Sequence, residues 1–394
     1  MIHLYFKAID MNSKISNIIK TVFLVISCLV AVGCSNDDLN SPDSPDDGNT
    51  KVVLTFSASP TLITRTVLPG LENLQHVETM QLYIFNGTGN NAMCVASEKV
   101  DWTDLADPEG KPTVSKMHKV IYNNFEPGKP YTFIAVGMDN CSGATFALPD
   151  AVQVGKTLLG EAKAVLDSGK TKSDIAVSEL FGGAAVITPL EVGKVTGTID
   201  LFRRVAGVMG WFTNIPRQIN GTNVAYLRIE LFKAQNKSIW LTKPNSAEDV
   251  IMEPIAENYV NKVLVEIKLE EKDFAPGAVV SKGAYVLPMI APFKTADEMI
   301  KAGYNNEAVY VKDYTLRVVL ADANGSVLQA RKVRNSDIVQ NGGTEGGTGI
   351  IDTNSAYRFP INANWFYPIG SKDKPAEWSN EKKSNFTVKA VPVR

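Results

Sequence analysis

From Lys51 onward, apolar residues recur at every second position in one short run after another. Strand side chains alternate faces, so each such run carries one apolar face that must be buried. Val52, Leu54 and Phe56 alternate with Val53, Thr55 and Ser57. Met80, Leu82 and Ile84 alternate with Gln81 and Tyr83 and stop at Asn86-Gly87. Tyr131, Phe133 and Ala135 follow the turn Glu126-Pro127-Gly128-Lys129-Pro130. Further runs occupy 199–212, 225–232, 263–269, 285–290, 309–320, 327–333 and 386–393, and Asn324-Gly325 joins two of them with a hairpin signal. Helical pattern is confined to 157–166 and 296–302. Many short strands between turn signals predict an all-β chain of two β-sandwich domains in tandem with one or two short helices. Residues 51–196 and 197–394 are the expected domains, with the boundary at Thr196-Gly197-Thr198 and the 199–212 run as one long strand opening the second.

The segment before Lys51 follows other rules. Lys14 and Lys20 precede an apolar run at 21–32, and small residues lead to Cys34 in Val30-Ala31-Val32-Gly33-Cys34. This is the layout of a secretory signal peptide over residues 1–33. The run is shorter than the roughly 20 residues of a membrane span. A cysteine directly after the cleavage point is the acceptor for a lipid, so Cys34 is expected to anchor an outer-membrane lipoprotein precursor. Ser35-Asn36-Asp37-Asp38 is similar to the surface-export signal of some Gram-negative lipoproteins. Residues 34–50 hold Asp, Ser, Pro and Asn with almost no apolar content, the composition of a disordered tether.

Composition excludes several classes of function. The formal charge is −2 and no long basic run occurs, so nucleic acid is not an expected partner. His76 and His118 lie far apart and neither sits at metal-ligand spacing, so no metal or other cofactor is expected. No phosphate-binding loop, zinc-protease helix or nucleophile elbow is present. Residues 342–349 are Gly-rich but lack the terminal Lys and read as a loop. Carboxylate pairs such as Glu270-Glu271 read as solvated turns rather than an acid–base pair, and an enzyme is not expected. Cys94 and Cys141 could pair in an oxidising envelope or remain thiols; spacing does not decide.

The first strand run is followed by a Pro-containing polar stretch with Thr64-Arg65-Thr66, and Arg65 is the first arginine of the chain. An exposed loop of this kind is where proteases cut. Cleavage there would release residues 51–65 with the tether, leaving a sandwich short of one strand and a groove that a strand from another subunit could fill. With the lipid-site cysteine, Val52-Val53-Leu54 before a loop Arg, Met80-Gln81-Leu82-Tyr83-Ile84-Phe85-Asn86-Gly87, Val154-Gly155-Lys156-Thr157-Leu158 and Leu201-Phe202-Arg203-Arg204-Val205-Ala206, the chain resembles the type V pilins, or fimbrillins.

That resemblance implies two Greek-key, transthyretin-like sandwiches, lipidation at Cys34, processing between Arg65 and Thr66 by an Arg-specific surface protease, and loss of the strand carrying Val52, Leu54 and Phe56. It implies polymerisation by donor-strand exchange with other pilin subunits, in an adhesive fimbria. The candidate donor is the C-terminal run with Phe386, Val388 and Ala390, which the sequence leaves equally open as the last strand of its own domain. The alternatives are a tip or anchor subunit, and a non-polymerising surface lipoprotein that binds a host protein or glycan. For the last, Trp211, Trp240, Trp365 and Trp378 could supply stacking platforms or pack in the core.

Overall fold

The computed structural model describes residues 51–57, 77–102, 115–170, 172–232, 238–241, 263–301, 313–336, 355–378 and 386–392. In the first half these form β1 (Lys51–Ser57), β2 (Thr79–Phe85), β3 (Cys94–Val100), β4 (Ser115–Lys119), β5 (Tyr131–Met138), β6 (Lys163–Val165), β7 (Leu180–Ile187), β8 (Lys194–Asp200) and β9 (Phe202–Arg203). An antiparallel five-stranded sheet, in the order β3-β2-β5-β7-β9, faces a three-stranded sheet, β4-β1-β8. The core between them holds Val52, Leu54 and Phe56 of β1 against Leu82, Ile84, Phe133 and Ala135. These are the residues that alternation points inward.

Two glycines let the layers close. A Cβ on Gly197 of β8 would lie 2.4 Å from Ile187 Cδ1, and one on Gly183 of β7 would lie 2.1 Å from Asp200 O. The Gly183 contact is with backbone, so only glycine allows β8 to cross β7 this closely there, whereas at Gly197 the end of the Ile187 side chain would have to move.

The remaining strands are β10 (Ala206–Thr213), β11 (Gln218–Ile219), β12 (Thr222–Asn223), β13 (Tyr226–Leu231), β14 (Ser238–Trp240), β15 (Val263–Lys268), β16 (Val279–Val286), β17 (Leu316–Ala321), β18 (Val327–Asn335), β19 (Trp365–Ile369), β20 (Ala376–Glu377), β21 (Phe386–Val388) and β22 (Val391–Pro392). Ten of them form one sheet in the order β15-β13-β17-β18-β21-β19-β10-β16, with β20 beside β10 and β22 beside β19. The sheet curls until its end strands β15 and β16 meet, enclosing a second sandwich core that includes Phe212, Leu227, Ile229, Val318, Leu320 and Phe386. The Asn324-Gly325 signal sits in the β17–β18 hairpin, where Gly325 takes φ 82°.

A third core joins the two sandwiches. Tyr83, Phe85, Ile134 and Val136 point out of the other face of the five-stranded sheet and pack with Val205, Met209, Trp211 and Tyr285. Strands β2 and β5 are therefore buried on both faces. Arg203, fully buried, donates from Nε to Glu179 Oε1 at 2.6 Å and stacks over Phe181 and Tyr285 with its guanidinium carbon 5.4 and 5.6 Å from the ring centres. It thus links a first-sandwich strand to β16.

Two local expectations are corrected. Residues 157–166 are not a helix: Leu159–Glu161 make one 3-10 turn and 163–165 become β6, paired antiparallel with β14. Gly160 donates its N–H to Asn90 O at 2.8 Å and sits against that residue, while Ala162, Ala164 and Leu166 alternate into the core. The run 199–212 is not one strand. It divides into the end of β8, β9 and β10, because Arg204 turns from the ladder and donates from Nε and Nη2 to Trp240 O at 3.0 and 2.6 Å. Thr196-Gly197-Thr198 lies inside β8, β9 pairs with β7, and β10 pairs with β16. The expected helix at 296–302 is present as Ala296–Lys301.

Candidate functional site

β1 is the middle strand of the small sheet. It runs antiparallel to β4, from Val53 opposite Lys119 to Ser57 opposite Ser115, and parallel to β8, from Lys51 opposite Lys194 to Ser57 opposite Asp200. The pairing is tied at both ends. Lys51 N donates to Gly193 O at 3.0 Å, Val120 N to Val52 O at 2.9 Å and Leu201 N to Ser57 O at 2.8 Å. Val52, Leu54 and Phe56 are 1%, 0% and 0% exposed. At roughly 1.5–3 kcal/mol for each fully buried apolar side chain, the three together contribute about 5–9 kcal/mol, an upper figure because an unfolded chain already shields some of this surface. Without β1, strands β4 and β8 would flank an apolar trough with two rows of unpaired backbone groups, which bind another strand.

The β4 side of the trough carries a buried charge. Glu98 of β3 stands opposite Leu82, on the face turned toward the small sheet, and is 8% exposed. Ile121 N donates to its Oε1 and Oε2 at 3.1 and 3.0 Å, and Tyr122 N to Oε1 at 2.6 Å. His118 Nε2 lies 3.1 Å from Oε2. Burial opposes the charge, but the hydrogen bonds from His118 and from the two amides outweigh it and hold the carboxyl below the ordinary glutamate value. Sequence reading passed over Glu98, although the signal was there: it has the inward parity of Ala96 and Val100.

The C-terminal candidate donor lies elsewhere. β21 is inserted between β18, to which it is parallel, and β19, to which it is antiparallel. Phe386, Val388 and Ala390 are buried in the second sandwich core. In this chain the run pairs within the sheet of the second sandwich. Trp211 and Trp378 are buried in the cores, which removes them as stacking platforms; Trp240 and Trp365 are half-buried. No disulfide joins Cys94, buried in β3, to the exposed Cys141. No cluster of three or more His, Cys, Asp or Glu gathers among the described residues. Cys34, Arg65 and Thr66 lie outside the described residues.

No curated protein sequence matches this chain. Among solved structures, the chain is similar to the C-terminally truncated tip fimbrial protein Mfa3 of Porphyromonas gingivalis, at 11% identity over 87% of this chain and 98% of that one, with a TM-score of 0.41. It is similar to a fimbrial assembly protein of Parabacteroides distasonis, at 9% identity over 82% and 90%, TM-score 0.33. A candidate cell adhesion protein of Bacteroides eggerthii aligns at 10% identity over 89% and 98%, TM-score 0.45. The family described as fimbrillin-A associated anchor proteins Mfa1 and Mfa2 matches residues 41–247, more than half of the sequence, and the chain belongs to this family.

Proposed function

We propose that this protein is a fimbrial subunit exported as a lipoprotein on Cys34, matured by cleavage between Arg65 and Thr66, and completed by a strand from another subunit. The observation that carries the reading is the position of β1. It is one short strand, central in a three-stranded sheet, with its apolar face filling the first core and its chain continuing directly toward Arg65. Cleavage there separates β1 covalently from everything it packs on. The vacated trough then accepts any strand with apolar residues at alternate positions, and main-chain pairing supplies affinity with little demand on the polar face. Filling it with three or four such side chains contributes roughly 5–12 kcal/mol at ~1.5–3 kcal/mol each, enough for a long-lived non-covalent joint.

The placement of β21 within its own sheet favours a chain that receives a strand and keeps its C-terminal one. That arrangement suits the end of a fibre, as an anchor or tip subunit. The Arg65→Ala variant tests the reading. Wild-type protein recovered from fibres is expected to begin at Thr66, and the variant to retain its lipid and stay out of the fibre. Normal fibres from Arg65→Ala would remove the processing step. Wild-type protein found in fibres with acylated Cys34 still in place would make it an uncleaved anchor.

A further inference from the structure

We infer that Glu98 is a rim clasp: it keeps β4 seated on the five-stranded sheet when β1 is absent, and so holds the trough open for an incoming strand. The inference rests on the reading that β1 leaves.

The need for a clasp follows from the topology. Among the described residues β4 has one strand neighbour, β1. Its burial is shallow, with Lys116 and His118 half-buried and Ser115, Met117 and Lys119 exposed. A strand with so little apolar anchorage, stripped of its only ladder, would peel away and close or blur the trough. The opposite rim has no such problem. β8 runs straight into β9, which is paired with β7, and crosses β7 through the close contacts at Gly183 and Gly197.

Glu98 supplies what β4 lacks. Its carboxylate spans the two layers, from the edge strand β3 to the end of β4, and binds His118 and the Ile121 and Tyr122 amides. Hydrogen bonds to an ionised carboxylate are about twice as strong as neutral ones. Leaving this carboxylate buried without partners would be expensive, so the partners stay with it. None of these atoms belongs to β1. The chain just beyond is pinned separately, with the rings of Tyr122 and Phe125 4.9 Å apart and those of Phe125 and Tyr131 5.0 Å apart, both edge to face. A rim fixed in advance spares the incoming strand the ordering of its acceptor, which favours tight uptake.

Adjacent amides report the two events separately, so hydrogen exchange on the intact full chain in mild denaturant decides. The Val120 amide donates to Val52 O and exchanges when β1 opens; the Ile121 and Tyr122 amides donate to Glu98. Ile121 and Tyr122 are expected to exchange at least about tenfold more slowly than Val120. Equal rates for all three would mean that β4 leaves with β1, and would overturn the clasp. In Glu98→Gln the Ile121 and Tyr122 rates are expected to rise to that of Val120; unchanged protection there would also overturn it. If that variant fails to fold, the wild-type comparison alone decides. The measurement needs no cleavage, so a failure of processing at Arg65 leaves it intact, and a failed clasp leaves strand uptake standing with a pliable acceptor.

Discussion

β1 and β21 are both short, apolar and near an end of the chain, yet they are held in different ways. β1 relies on its ladder, with five residue pairs to β4 and seven to β8, and on three side chains along one face. Among the described residues β21 pairs with β18 at three positions and with β19 at one. What fixes β21 is lateral packing. The ring of Phe386 lies 5.6 Å from that of Phe212 and 5.3 Å from that of Trp378, and the Arg331 guanidinium stacks over both Trp378 and Phe386. A strand held by backbone pairing and simple alternation can be replaced by any strand of like pattern. One held by interlocking rings and a stacked guanidinium cannot be replaced without rebuilding its surroundings.

The comparison breaks first at its two phenylalanines. In the intact chain, Phe56→Ala and Phe386→Ala are each expected to cost about 3–5 kcal/mol in denaturant unfolding. After Arg-specific trimming and strand uptake, the Phe56→Ala loss is expected to vanish while the Phe386→Ala loss persists. A Phe56→Ala loss that survives trimming would mean that β1 never departs.

A smaller effect sharpens the account of the β1 side. Glu98→Gln is expected to cost about 1–3 kcal/mol, the range for disturbing a buried, hydrogen-bonded charge. The Glu98 pKa is lowered by folding, so its contribution is complete above the ordinary glutamate pKa and is lost as the pH falls through the lowered value. Thermal unfolding of wild type should therefore drop more steeply than that of Glu98→Gln below about pH 4. Parallel curves would show that the carboxylate contributes nothing to the rim.

The smallest effects lie on the outward faces. Thr55→Ala in β1 and Lys389→Ala beside β21 should each stay within about 0.5 kcal/mol of wild type. A larger loss at Thr55 would reveal a further layer over the small sheet.

The alternation of Val52, Leu54 and Phe56 was enough to make β1 a strand with a buried face, and Asn324-Gly325 was enough to make a hairpin. Both are set by the backbone period and by one dipeptide that tolerates positive φ, so neighbouring residues suffice. The 157–166 run misled because Leu159, Ala162 and Leu166 also fit a helical spacing, and its strand partner at 238–240 lies far along the chain. Glu98 was hidden for the same reason. A lone carboxylate in a strand looks solvated until the partner layer, some twenty residues away, brings amides to it.

The sequence by itself determined the all-β class, the inward face of each strand and the position of an arginine soon after the first of them, because these depend on residue type and on spacings of two. Only the tertiary structure decided that β1 lies parallel to β8 and antiparallel to β4, that β21 pairs between β18 and β19, and that a buried Glu98 ties the two layers at one rim. Those choices turn on which distant surfaces fit and which buried polar groups find partners, and no local pattern carries that information.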